Sequence, residues 1–201
     1  MKRSNLGKMT RLAILTAIIL IMAFTPLGYL HIGPLSMTLI MIPVAVGAIT
    51  MGPGVGAFLG TVFGLSSFVQ AFGLDAFATM LFSFNPFYYF LLTMVPRVLM
   101  GLLCGLIFLA FSKKDSLRPV GFVVSSFSAA ALNTILFMSA LVLFFLPYEE
   151  VFALPDHSFK TVITAMAIMV GVQGLVEALI CTVVGAAISA ALYSYYNRHK
   201  S

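Results

Sequence analysis

Tryptophan is absent from this 201-residue chain, cysteine occurs twice, histidine three times, and Asp, Glu, Lys and Arg together supply only 8% of residues. An average soluble domain carries about 25% charged residues, so the composition excludes one. Cys104 and Cys181 both stand in apolar runs with no His or Cys at ligand spacing. Neither a disulfide framework nor a zinc site is supported, and both read as small apolar packing residues. Catalytic signatures are missing as well: there is no H-E-x-x-H helix, no G-x-S-x-G elbow and no paired-acid or histidine constellation within the apolar runs. No catalytic residue, metal ligand or cofactor is assigned. A G-x-x-x-x-G-K-[ST] phosphate loop is also lacking, so any ATP-driven role requires another subunit.

What is present is apolar sequence, 61% of the chain, in several runs long enough to cross a bilayer. These runs predict an all-α integral membrane protein, a single domain over residues 1–201 with six transmembrane helices. Helix 1 is expected from Leu12 to Leu30, and His31-Ile-Gly-Pro34 is a tight connection. Helix 2 is expected from about Ser36 to Met51 with Pro43 inside it. Gly52-Pro-Gly54 makes a turn, and helix 3 runs to about Phe72. Gly56, Gly60 and Gly64 repeat every fourth residue and so line one face, where a neighbouring backbone can approach closely. Residues 73–87 form a longer connection with room for a short amphipathic turn. Helix 4 extends to about Phe111, helix 5 from Val120 to Leu146 and helix 6 from Thr161 to Leu192.

Loop charge orients the six spans. The termini and the 112–119 loop hold nine basic residues (Lys2, Arg3, Lys8, Arg11, Lys113, Lys114, Arg118, Arg198 and Lys200) against one acid, Asp115. The opposite loops hold Lys160 against Asp75, Glu149, Glu150 and Asp156. The positive-inside rule therefore expects both termini in the cytoplasm. The net charge of +5 is accounted for by topology and anionic lipid, without nucleic acid.

Two charges remain inside the spans, Arg97 and Glu177. An arginine at mid-membrane costs roughly 2.5 to 3.5 kcal/mol on insertion scales, so it is rarely present without a partner or a task. Arg97 lies ten residues beyond Phe87, ~15 Å down at 1.5 Å per residue. Asn133 stands half-way along helix 5, and Gln173 and Glu177 are one turn apart on helix 6. Pro96 removes a backbone donor just ahead of Arg97, which opens a carbonyl. An arginine fork, two amides and a carboxylate at one depth form either a structural ion pair with amide bridges or a polar pocket. A planar guanidinium suits bidentate binding of a carboxylate. Asn85, beside Phe87, Tyr88 and Tyr89, is a candidate for closing the site, or else turn chemistry before proline. Gln70 is a candidate for either pocket or helix interface.

The order and spacing of several segments resemble the substrate-binding S components of energy-coupling factor (ECF) vitamin transporters, of the pantothenate type within that family. These segments are TPLGYLHIGPLSMTLIMIPVAVGAI at 25–49, GPGVGAFLGTVFGLSS at 52–67, FSFNPF at 82–87, VPRVLMG at 95–101, LNTIL at 132–136 and VEALI at 176–180. The resemblance covers nearly the whole chain. It implies a bacterial cell-membrane protein with a vitamin site on the outer half, between helices 4 to 6 and the outward loops. It also implies assembly with a transmembrane T component and two cytoplasmic ATPases. Ala13 and Ala17 of helix 1 would then be the T-component contact, because small residues four apart permit close helix approach.

Overall fold

The computed structural model describes residues 3–25, 28–32, 35–148 and 174–198. Helix α1 (Arg3–Ala23) is followed by strands β1 (Tyr29–Ile32) and β2 (Leu35–Thr38), then α2 (Met41–Met51), α3 (Pro53–Val69), α4 (Ala76–Phe84), α5 (Pro86–Ser112) and α6 (Arg118–Phe145). A last helical stretch begins at Gly174, passes through a π-helical turn at Cys181–Gly185 and continues as α7 (Ala186–Arg198).

The described chain is overwhelmingly helical, as the apolar runs predict, with departures from the expected boundaries at the start of helix 1, which begins at Arg3 instead of Leu12, and between helices 1 and 2. Helix 1 ends at Ala23 instead of Leu30, and the stretch assigned to its end and to the start of helix 2 is an antiparallel hairpin. Its register pairs Tyr29 with Thr38, Leu30 with Met37, His31 with Ser36 and Ile32 with Leu35. By sequence, a proline at 26 and a glycine at 28 disfavour a continued helix, and Tyr, Ile and Thr favour the extended chain that follows. Helix 2 accordingly starts at Met41, which places Pro43 in the first turn, where no intrahelical partner is lost.

The sequence predicts six spans. Among the described residues, four stretches are long and apolar enough to cross a membrane: Leu6–Ala23, Pro86–Ser112, Asp115–Phe145 and Gly174–Tyr195. The other two apolar helices are shorter, with α2 at 11 residues and α3 at 17. At 1.5 Å per residue they reach ~16 and ~25 Å, below the ~30 Å of a hydrocarbon core. Helix α2 is apolar on every side and is buried from Met41 to Ile49, so it forms the centre of the main core. Gly52, at φ +104, separates it from α3 in a backbone conformation that L side chains rarely adopt.

The glycine row of α3 packs on α5. A Cβ at Gly56 would overlap the Gly101 carbonyl oxygen, and one at Gly60 would overlap that of Arg97. At Gly64 it would lie 2.9 Å from that of Thr93. The sequence of partners 101, 97 and 93 shows the two helices antiparallel and in backbone contact around Arg97. This is the close approach that the four-residue spacing predicts.

At the Pro86 end of α5, α4 forms the short helix that the 73–87 connection had room for. Asp75 caps it by accepting a bond from Ala78 N at 2.7 Å. Phe68 meets Phe72, Phe82 and Phe90 edge-on there, with centroids 5.5 to 6.0 Å apart. At the opposite end Arg118 pairs with Asp115, and its guanidinium carbon sits 5.3 Å from the Tyr193 ring centre, joining the α5–α6 connection to α7.

Candidate functional site

Asn85 and Pro86 set the start of α5. Asn85 is extended, and its Oδ1 accepts bonds from Phe87 N and Tyr88 N, both at 3.1 Å, while Pro86 occupies the first helical position. Of the two roles open to Asn85, turn chemistry is thus in place. Asn85→Ala is expected to lower stability by about 1 kcal/mol. A thermal unfolding series in detergent should show the midpoint falling by a few degrees, with Asn85→Asp retaining most of it.

Eleven residues beyond Pro86, ~16 Å along the axis, α5 presents Arg97 to the interior. Pro96 has no N–H to give to the carbonyl four residues earlier, that of Leu92. Arg97 answers it: its side chain turns back along the helix, and Nη1 donates to the Leu92 oxygen at 2.8 Å. The carbonyl that Pro96 opens is therefore occupied by the neighbouring arginine. The guanidinium carbon lies 4.4 Å from the centre of the Phe137 ring on α6 and 5.4 Å from that of Phe63 on α3. Both aromatic faces attract the cation, and more strongly where water is excluded. Arg97 is only 9% exposed.

Asn133 lies on α6 four residues before Phe137 and so one turn away on the same face. It is buried, and its Oδ1 has no hydrogen-bond partner among the described residues. A buried acceptor of this kind is uncommon in a native protein and calls for a donor from water, a ligand or a residue outside those described. Glu177, also buried, stands in the last helical stretch, and its Oε1 accepts a bond from Thr38 N at 2.7 Å. This charge-assisted bond ties the end of the hairpin to the C-terminal helix.

Gln70 ends α3, and its Nε2 donates to the carbonyl oxygen of Ala23 at 3.4 Å, bridging the ends of α3 and α1. It satisfies one of the four carbonyls that α1 leaves open at its C-terminus. Gln173 lies outside the described residues. Ala13 and Ala17 are exposed on α1, on a helix whose Ile14, Ile18 and Ile21 also face outward.

The structure thus gathers Arg97, Phe63 and Phe137 into one group, with Asn133 one turn from Phe137 along α6. It ties Glu177 to the hairpin and gives Asn85 and Gln70 bonds of their own. Three participants escape sequence reasoning. Phe63 and Phe137 are indistinguishable there from other lipid-facing or core phenylalanines, although Phe63 is three residues past the glycine opposite Arg97 and Phe137 is four past Asn133. Thr38 contributes a backbone N–H, which carries no side-chain signal.

A family model described as ECF transporter, substrate-specific component, matches residues 7–189. The chain is 31% identical to the pantothenic acid transporter PanT of Lactococcus lactis subsp. cremoris over 156 residues, 72% of this chain and 77% of that protein. It is 34% identical to the pantothenate transporter PanT of Leuconostoc mesenteroides subsp. mesenteroides over 126 residues, 59% of this chain and 60% of that protein. With its apolar helices packed around a buried arginine and the family match running through almost all of its length, the chain belongs to the substrate-specific components of ECF transporters.

Proposed function

We propose that this chain is the membrane-embedded subunit that captures pantothenate from outside the cell for an ATP-driven ECF importer. Pantothenate ends in a carboxylate and carries two hydroxyls and an amide. Arg97 binds the carboxylate, and Asn133, Gln173 and Glu177 take the hydroxyl and amide groups. Asn85 and Gln70 border the site at the outer ends of α5 and α3. Both termini are cytoplasmic, which puts the hairpin and α4 on the outer face. Ala13 and Ala17 provide the surface on which the T component packs, and two cytoplasmic ATPases drive the assembly.

The observation that carries this reading is a buried guanidinium over the rings of Phe63 and Phe137, with Asn133, one helical turn from Phe137, holding a buried amide oxygen that has no partner among the described residues. An intramembrane charge so placed marks a solute site more often than it adds stability. The names of the two relatives direct the choice of solute to pantothenate. The test is to purify the protein from cells grown with pantothenate, riboflavin, folate and niacin all present, and to identify what it carries by mass spectrometry. Pantothenate in near-stoichiometric amount is expected. Another of these vitamins in its place would keep the transporter and discard the ligand, and the absence of any small molecule from folded protein would discard both.

A further inference from the structure

A proline inside a membrane helix normally leaves a carbonyl for water, a serine or a neighbouring helix to satisfy. In α5 that carbonyl belongs to Leu92, and the donor that reaches it is Nη1 of Arg97, the residue directly after the proline. Leu92 and Arg97 are both buried, so both halves of the bond sit away from bulk water. An open carbonyl and a guanidinium N–H are each costly to bury alone, and each meets the other's need. The bond fixes one end of the guanidinium, and the Phe137 and Phe63 rings, 4.4 and 5.4 Å from its central carbon, restrict its remaining freedom.

We propose that Pro96 is the positioning residue for Arg97: by denying Leu92 its backbone donor, it fixes the guanidinium in the orientation that selects a carboxylate-bearing ligand. The inference rests on the assignment of Arg97 to the ligand carboxylate made above. An alanine at position 96 would restore an N–H in helical register with the Leu92 oxygen, in competition with Nη1. The arginine would keep its charge and place in the sequence but lose the bond that aims it. The fork geometry on which bidentate carboxylate recognition depends would then lose the bond to Leu92 that fixes it.

The experiment is isothermal titration of wild type, Pro96→Ala, Arg97→Ala and the double variant with pantothenate and with pantothenol, in which an alcohol replaces the carboxylate. Pro96→Ala is expected to weaken pantothenate about tenfold, in line with the loss of one well-aimed charged hydrogen bond, and to leave pantothenol unchanged. In the Arg97→Ala background the same substitution is expected to change nothing further, which a packing role would not produce. Pro96→Gly, which also restores the N–H, is measured alongside so that the result does not depend on one variant folding. Wild-type affinity for pantothenate in either folded variant would overturn the proposal. So would equal weakening of acid and alcohol, or a loss that persists without Arg97. If Arg97→Ala itself binds pantothenate as wild type does, the assignment of the arginine to the carboxylate fails instead.

Discussion

Gly60→Ala is expected to damage this protein more than its single added methyl group suggests. The new Cβ would overlap the carbonyl oxygen of Arg97, a backbone atom that no rotamer change can move aside. Helices α3 and α5 must separate at that point, and overpacking of this kind typically costs about 1 to 3 kcal/mol. The damage falls on the segment that holds both Phe63 and Arg97, so ligand affinity should fall with stability. Gly54→Ala provides the contrast. Gly54 is an exposed helical glycine with nothing within 4 Å of the place a Cβ would take, so alanine there should be neutral or stabilising by up to about 1 kcal/mol. Thermal unfolding in detergent compares the two directly. Equal behaviour would mean that α3 and α5 are not in backbone contact at Gly60.

Arg97→Ala is expected to weaken pantothenate binding by about two orders of magnitude. Two charge-assisted hydrogen bonds to a carboxylate, each worth roughly 1.5 to 3 kcal/mol, account for an effect of at least that size. Arg97→Lys keeps the charge and loses the planar fork, so it should recover only part of the affinity. The alanine variant also leaves the Leu92 carbonyl without the donor it has at 2.8 Å, which is expected to lower stability by about 1 to 3 kcal/mol. Its folded state therefore has to be checked by size-exclusion and thermal unfolding before affinities are compared. Calorimetry then reads the effect, and an unchanged affinity in folded protein would remove Arg97 from the site.

Much of the architecture is legible in the sequence because lipid imposes strong rules on it. A chain with so few charges must satisfy its backbone within helices, and the long apolar runs of α1, α5 and α6 mark themselves. The glycine spacing in α3 is legible for the same kind of reason, since only a close helix contact rewards three glycines on one face. The hairpin is not. Its residues Tyr29–Ile32 and Leu35–Thr38 are apolar enough to continue the flanking helices, and hydropathy does not distinguish a strand from a helix in so short a run. The signals that separate them, Pro26, Gly28 and the Gly33-Pro34 pair, are turn chemistry and carry little weight beside the long apolar runs on either side.

The site divides along the same line. Arg97, Asn133 and Glu177 stand out because polar groups are rare in spans, and the structure buries all three. Their partners are ordinary residues. Phe63 and Phe137 act through ring faces, and Thr38 and Leu92 act through backbone atoms that every residue possesses. Pro96 is legible as the opener of a carbonyl, but which group fills the opening depends on the path of a side chain in three dimensions. Asn85 shows the converse. Its position before a proline reads as both a cap and a ligand contact, and the cap bonds to Phe87 N and Tyr88 N are what the fold displays.

The central claim is that the buried guanidinium of Arg97 receives the carboxylate of pantothenate. The most direct measurement is a calorimetric titration of the purified wild-type protein with pantothenate and, under the same conditions, with pantothenol. The account predicts saturable one-site binding of the acid and at least about a hundredfold weaker binding of the alcohol, the difference made by two charged hydrogen bonds. Equal affinity for the two compounds would contradict it, because a site that does not distinguish a carboxylate from an alcohol does not use its arginine to bind one.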